Sequence, residues 1–405
     1  MRRVAVTGLG IVSCLGNTGH EVLAALQQGR SGIEFIPERK ALGFRSSLGG
    51  QIKGLNPPDI PKRNLRQMSP ACYFGVHAAR QAIEDSAWGP EQIQSDRTAL
   101  IIGCTGNYRD IYQQCHMFRD QGLKLGGTAL VRAMVDSASA NLSVLLGTRG
   151  YSLTIAAACA TGAAAIGLAF QLIRSGMQDR AIAGGVHEDT WEYCCHFDAL
   201  KAFSLREDEP TKASRPFDRR RDGLVPSAGS GLVVLEDLEH ARSRGAKIYA
   251  ELIGYAFTSD GNDMTVPSGE GSVRCMRQAL GEAGIRPDEV DYINAHATST
   301  PSGDVAEARA IAEVFGMGPY VSSTKSMTGH EQGACGSTEV IYTLLMLRDR
   351  FIAPTINLDE LDPDCAGINV VGNRAIEAEI DVAVSNSFGF GGVNTCLVVR
   401  KDPAS

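Results

Sequence analysis

One of the eleven cysteines in this chain stands where a thiol can react. The stretch Leu153-Thr154-Ile155-Ala156-Ala157-Ala158-Cys159-Ala160-Thr161-Gly162-Ala163 reads as a buried strand, a sharp turn at Cys159, and a helix rich in alanine and glycine. The first turn of a helix has free N–H groups and the positive end of the dipole. A thiol placed there is expected to ionise more readily than a free cysteine, whose pKa is ~8.5, and the thiolate is the nucleophile. A small core residue at a tight helix start is the plain alternative. It loses ground because two histidines share the setting. His296 follows a strand and leads through Ala297-Thr298-Ser299-Thr300 to a helix expected to begin near Asp304, which can cap it. His330 closes Ser323-Thr324-Lys325-Ser326-Met327-Thr328-Gly329 and also precedes a helix. A nucleophile-grade thiol and two imidazoles at three such junctions form a constellation for covalent catalysis.

The elements that must position these groups alternate along the chain. Short β-branched runs such as Val4–Gly8, Ala99–Gly103, Ala181–Ala183, Gly231–Leu235, Tyr292–Ala295 and Val382–Ser385 read as strands. Between them, Ala71–Asp85, Thr128–Leu146, Ala160–Arg174, Ser272–Ala283, Asp304–Phe315 and Ser337–Leu347 carry helical spacing. This alternation predicts an α/β protein with helices on sheet faces. The charged stretch from Glu236 ends at a helix-stop glycine, Gly245, and divides the chain into an N-terminal half, 1–245, and a C-terminal half, 246–405. The small residues after Cys159 predict that its helix is central and buried.

Composition narrows the class. A chain of 405 residues with 43% hydrophobic and 21% charged content is an ordinary globular protein. Its net charge of −7 argues against a nucleic-acid binder. No apolar run is long enough to span a bilayer, and the apolar part of the N-terminus is too short for a secretory signal. The odd, scattered cysteines show no Cys-x-x-Cys pair and no zinc spacing, so a reducing, cytoplasmic setting and no metal are expected. Thr7-Gly8-Leu9-Gly10 lacks the third glycine of a dinucleotide fingerprint, and neither a Walker loop nor a Gly-x-Ser-x-Gly elbow is present. Phe388-Gly389-Phe390-Gly391-Gly392 reads as a strand-connecting loop, either an ordinary turn or a movable pocket wall.

At these residues the chain resembles the β-ketoacyl-[acyl carrier protein] synthase family, in its elongating I/II branch. The likeness runs end to end. It takes in Val4-Ala5-Val6-Thr7-Gly8-Leu9-Gly10, Ala158-Cys159-Ala160-Thr161-Gly162, Ala213-Ser214-Arg215-Pro216-Phe217-Asp218, Ser259-Asp260-Gly261, both histidine motifs, and Ser385-Asn386-Ser387-Phe388-Gly389-Phe390-Gly391-Gly392. The resemblance implies a thiolase-like fold of five αβαβα layers made of two similar halves, and a homodimer. It implies that Cys159 takes an acyl chain from acyl carrier protein, with His296 and His330 serving malonyl decarboxylation. It matches Lys325 and Glu307 to an ion pair, Thr298 and Thr300 to hydroxyls that bind the phosphopantetheine arm, Phe390 to a gate and Phe197 to the acyl pocket. The N–H groups of Cys159 and Phe390 are the implied oxyanion donors. No metal, nucleotide or flavin is implied. An acidic carrier protein asks for basic residues, and Lys62, Arg63 and Arg66 qualify, although a solvated helix face explains them equally well.

Several positions depart from the family pattern: Ala297, Glu331-Gln332 after His330, Cys335, Val393, and Cys104-Thr105-Gly106-Asn107-Tyr108. They leave the reactive set intact and open the acyl substrate, so a specialised polyene or polyketide pathway is an alternative to fatty acid synthesis. A thiolase would need a second cysteine in a Cys-x-Gly setting, which neither Cys335 nor Cys396 occupies as thiolases do. A non-catalytic chain-length partner subunit typically lacks the nucleophile.

Overall fold

The computed structural model describes residues 1–402. Its main sheet is built from β1 (Val4–Ser13), β2 (Thr98–Cys104), β3 (Ser152–Ile155), β4 (Arg180–His187), β5 (Gly229–Asp237), β6 (Ala250–Ser259), β7 (Tyr292–Asn294), β8 (Tyr320–Ser322), β9 (Asn369–Val370), β10 (Val382–Gly389) and β11 (Val393–Arg400). The first five pair in the order β1-β5-β4-β2-β3, and the rest in the order β6-β11-β10-β7-β8-β9. Each set starts with two antiparallel pairings and continues with parallel ones, β4-β2-β3 in one and β10-β7-β8-β9 in the other. The two halves therefore repeat one topology, although their sequences show no repeat. The two wings of the sheet join where Val4, Ala5 and Val6 pair with Leu252, Glu251 and Ala250.

Six helices complete the frame: α1 (Pro70–Asp85), α2 (Thr161–Arg174), α3 (Trp191–Ala199), α4 (Glu270–Ala283), α5 (Pro301–Phe315) and α6 (Cys335–Asp349). α1 packs on β1 and β5, and α4 on β6 and β11. Between the two wings of the sheet lie α2 and α6, which touch each other and strands of both wings. The succession helix, sheet, helix pair, sheet, helix is the five-layer thiolase-like arrangement.

The central helices are buried because their residues are small or apolar. On α2, Thr161 to Gly167 are all buried, and on α6 every residue from Cys335 to Leu347 is buried. Glycine is required where they cross: a Cβ on Gly162 would stand 2.9 Å from the Ser337 amide, and one on Gly336 would stand 2.8 Å from Ala163 Cβ. Strands β2, β4 and β5 are buried along almost their whole length, as expected of strands covered on both faces.

Differences from the sequence expectations are local. Thr128–Leu146 is two helices, Ala129–Ala133 and Ser137–Leu146, separated at Met134–Asp136. The helix expected near Asp304 begins at Pro301. Asp304 lies inside its first turn and accepts the Thr300 N–H at 3.1 Å and the Phe217 N–H at 2.8 Å. Tyr108–Arg119 and α3 are helices whose aromatic and polar residues mask the apolar period.

Candidate active site

Cys159 sits in the turn between β3 and α2. Ala158, just before it, has φ +46°, a left-handed conformation that costs energy for alanine. The turn is held by Thr161, whose hydroxyl accepts the Ala157 N–H at 2.8 Å and donates to the Ala158 carbonyl at 2.6 Å. Opposite it, Gly389 ends β10. A Cβ there would lie 2.9 Å from the Cys159 amide nitrogen, so only glycine lets the Phe390 turn come this close. That turn is tied to the neighbouring loop by Gly391 N–H to the Met264 carbonyl and Asp260 N–H to the Gly392 carbonyl, each 2.8 Å.

His296 follows β7. Its N–H and that of Ala297 donate to the Glu307 carboxylate on α5 at 2.9 and 2.6 Å. His330 follows the short helix Lys325–Thr328, and its N–H donates to the Val225 carbonyl at 2.7 Å. The two imidazoles meet edge to face with centroids 5.3 Å apart. The Cys159 sulfur and one nitrogen of each ring all lie within 4.8 Å of one another. Three segments far apart in sequence thus deliver their reactive atoms to one point.

Cys159, His296, His330, Thr298, Thr300, Phe197 and Phe390 line one cavity of ≈ 410 Å³. The Thr298 and Thr300 hydroxyls are 3.1 Å apart. Phe390 stacks on Phe197 at 5.8 Å between centroids, forming a wall beside the sulfur. Lys62, Arg63 and Arg66 are exposed, on a short helix and its cap, and none of them lines the cavity.

Two expectations need correction. Lys325 does not pair with Glu307. Its ammonium is salt-bridged to Glu339 on α6, and both side chains are 1% exposed. Glu307 instead accepts the two backbone N–H groups beside His296, with Asn386 Nδ2 at 3.3 Å. Glu307 is thus a support for the His296 turn. Sequence did hold a signal for Glu339: a lone charge in the apolar run Gly336–Leu347, where a buried carboxylate demands a partner.

The thiol, too, departs from the expected easy ionisation. Burial pushes Cys159 up to about 11, against the opposing pull of the Lys325 charge and the N–H groups of Phe390 and Cys159 itself. Local helix geometry predicts easier ionisation, but loss of water around a residue only 7% exposed outweighs it. Burial, with the nearby Lys325 charge, also drives His296 and His330 well below the usual imidazole range, so both rings are neutral. Burial works against the charge on Lys325, but Glu339 outweighs it and keeps the ammonium protonated.

Comparison with known proteins agrees with this geometry. Residues 1–241 match the model for the beta-ketoacyl synthase N-terminal domain, and residues 249–359 that for its C-terminal domain. The chain is 47% identical, over 99% of both lengths, to 3-oxoacyl-[acyl-carrier-protein] synthase 1 of Haemophilus influenzae, and equally to that of Escherichia coli. Among solved structures, a beta-ketoacyl synthase from Burkholderia phymatum superposes with TM-score 0.95 at 36% identity, covering 99% of this chain and all (100%) of that one. A type II polyketide ketosynthase in complex with its acyl carrier protein superposes with TM-score 0.90 at 31% identity, over 99% and 100% of the two chains. By fold, by site and by likeness along its length, this chain belongs to the beta-ketoacyl synthase family.

Proposed function

We propose that this protein is a β-ketoacyl-[acyl carrier protein] synthase, an acyltransferase that extends acyl chains in fatty acid biosynthesis by decarboxylative condensation. The observation that carries this reading is the meeting of the Cys159 sulfur with two neutral imidazoles at a cavity that Thr298 and Thr300 also line. Cys159 exchanges its proton for the acyl group of a carrier thioester, and the carrier thiol leaves. The tetrahedral oxyanion is held by the Cys159 and Phe390 N–H groups. A malonyl thioester then binds with its carbonyl oxygen facing His296 and His330. Loss of CO2 leaves the electron pair as an enolate, and two neutral imidazoles donating N–H bonds stabilise that oxygen, each by about 3 kcal/mol if it acts like an oxyanion-hole donor. The α-carbon attacks the Cys159 thioester, forms the new carbon–carbon bond, and releases the cysteine thiolate.

In this reading Lys325 and Glu339 fix the charge around the rings, and Glu307 fixes the His296 backbone. The phosphopantetheine arm of acyl carrier protein enters along Thr298 and Thr300, and Phe390 gates it. No metal, nucleotide or flavin takes part. Lys62, Arg63 and Arg66 are proposed to meet the acidic carrier. A homodimer is proposed, supported by the edge strand β3, where Leu153 and, just before the strand, Tyr151 are each 43% exposed. A cytoplasmic setting is proposed from the eleven free cysteines. No helix among the described residues is long and apolar enough to cross a membrane.

The test is direct. Acyl-carrier and malonyl-carrier protein incubated with the enzyme should yield β-ketoacyl-carrier and CO2 in equal amounts. CO2 without the longer acyl product would contradict the condensing activity.

A further inference from the structure

Besides the two imidazoles, the Cys159 sulfur meets a carboxamide. Cys159 Sγ lies 3.7 Å from Gln332 Oε1, and the Tyr193 hydroxyl donates to the same oxygen at 3.5 Å. Gln332 is 1% exposed, and its Nε2 has no hydrogen-bond partner among the described residues. Its φ of +45° lies in the left-handed region, which glutamine adopts only when its surroundings impose it. Tyr193 is held edge-on by His187 at 4.8 Å and by Tyr108 at 5.1 Å, and it leans on Phe197 at 5.4 Å. Behind them Thr105 Oγ1 is 3.3 Å from His187 Nδ1, and His187 Nε2, on a residue only 4% exposed, also has no partner among the described residues. In the proposed reading the carrier arm takes the cavity at Thr298 and Thr300, which leaves an acyl chain on Cys159 to extend past Gln332 and Tyr193, where rings and hydrogen-bonding groups stand.

We propose that Gln332, together with Tyr193, determines the acyl group that Cys159 carries, admitting short acyl groups and excluding long saturated ones. The inference rests on Cys159 being the acylated residue. A long saturated chain must part the carboxamide from the phenol and leave both polar groups against hydrocarbon, and buried polar groups without partners are costly. A short acyl group ends before that pair and leaves its hydrogen bond intact. The discrimination from one such broken bond is about tenfold.

The experiment compares loading of Cys159 by butanoyl-carrier and tetradecanoyl-carrier protein, read by intact-protein mass spectrometry, in the wild type, Gln332→Leu, Gln332→Asn and Tyr193→Phe. Asparagine tolerates positive φ and so guards against a folding failure at this position. The wild type should load the short chain at least about tenfold faster, and each Gln332 variant should raise the long-to-short ratio by about that factor. Tyr193→Phe should raise it less. Equal wild-type rates for the two chains, or a ratio unchanged in both Gln332 variants, overturns the assignment. If neither chain is found on Cys159 while condensation proceeds, it is the nucleophile assignment that fails.

Discussion

The ammonium of Lys325 and the carboxylate of Glu339 form an ion pair that is sealed from solvent between the two wings of the sheet. Removing one partner of a buried pair strands the other charge, which costs more than the pair itself contributes. Glu339→Gln should therefore lower unfolding free energy by about 3–5 kcal/mol in urea titrations. The double replacement Lys325→Met with Glu339→Leu should recover much of that loss, and a double variant as unstable as the single one contradicts the pairing.

Glu331 makes stability depend on pH. The residue is 1% exposed, and its carboxyl is bonded by the Thr338 hydroxyl and, at 3.3 Å, by the Tyr342 hydroxyl. Burial pushes it up to about 8 from an ordinary 4.5. A folded pKa above the unfolded one gives stability that is full below the unfolded value and is lost as pH rises through the folded value. Glu331→Gln cannot ionise and escapes that loss. The melting temperature of the variant minus that of the wild type should rise between about pH 5 and about pH 8. A constant difference would remove Glu331 from the account.

Cys159→Ala should abolish condensation but retain decarboxylation of malonyl-carrier protein, because both imidazoles remain. His330→Ala should lower CO2 release by about 10²–10³-fold, the usual cost of losing an oxyanion donor. Radiolabelled CO2 measures both. Unchanged release in the histidine variant would remove His330 from that step.

Gly389→Ala tests the approach of the Phe390 turn to the nucleophile. The new methyl would meet the Cys159 nitrogen at 2.9 Å and Ala158 Cβ at 3.2 Å, so the Phe390 N–H must withdraw from the sulfur. Single-turnover loading should slow by about 10²-fold, as when one oxyanion donor is lost. A variant with wild-type loading would show that the close approach has no part in transfer.

Much of this was legible in the sequence because it was local. Strand, turn and helix around Cys159, and the junctions holding His296 and His330, follow from periodicity and from small residues at close contacts, although the strand, expected to be buried, is an edge strand with Ser152 and Leu153 exposed. The apolar run around Glu339 signals that this carboxylate needs a partner, but not which one, because Glu307 and Glu339 both lie on helices and only the wrapping of the two wings around α2 and α6 brings one of them to the ammonium. The ionisation of Cys159 escapes the sequence for a related reason: a helix terminus is visible there, whereas the depth at which it is buried is not. Gln332 and Tyr193 come from separate segments, and nothing in either motif reveals that they meet at the sulfur.

The central claim is that the Cys159 sulfur carries the growing chain. Peptide mass spectrometry after brief exposure to butanoyl-carrier protein, before any malonyl substrate is added, tests it most directly. The account predicts one thioester, on the peptide containing Cys159, which disappears as β-ketoacyl product forms when malonyl-carrier protein follows. An acyl group found on another residue, or product formed with Cys159 never acylated, would contradict it.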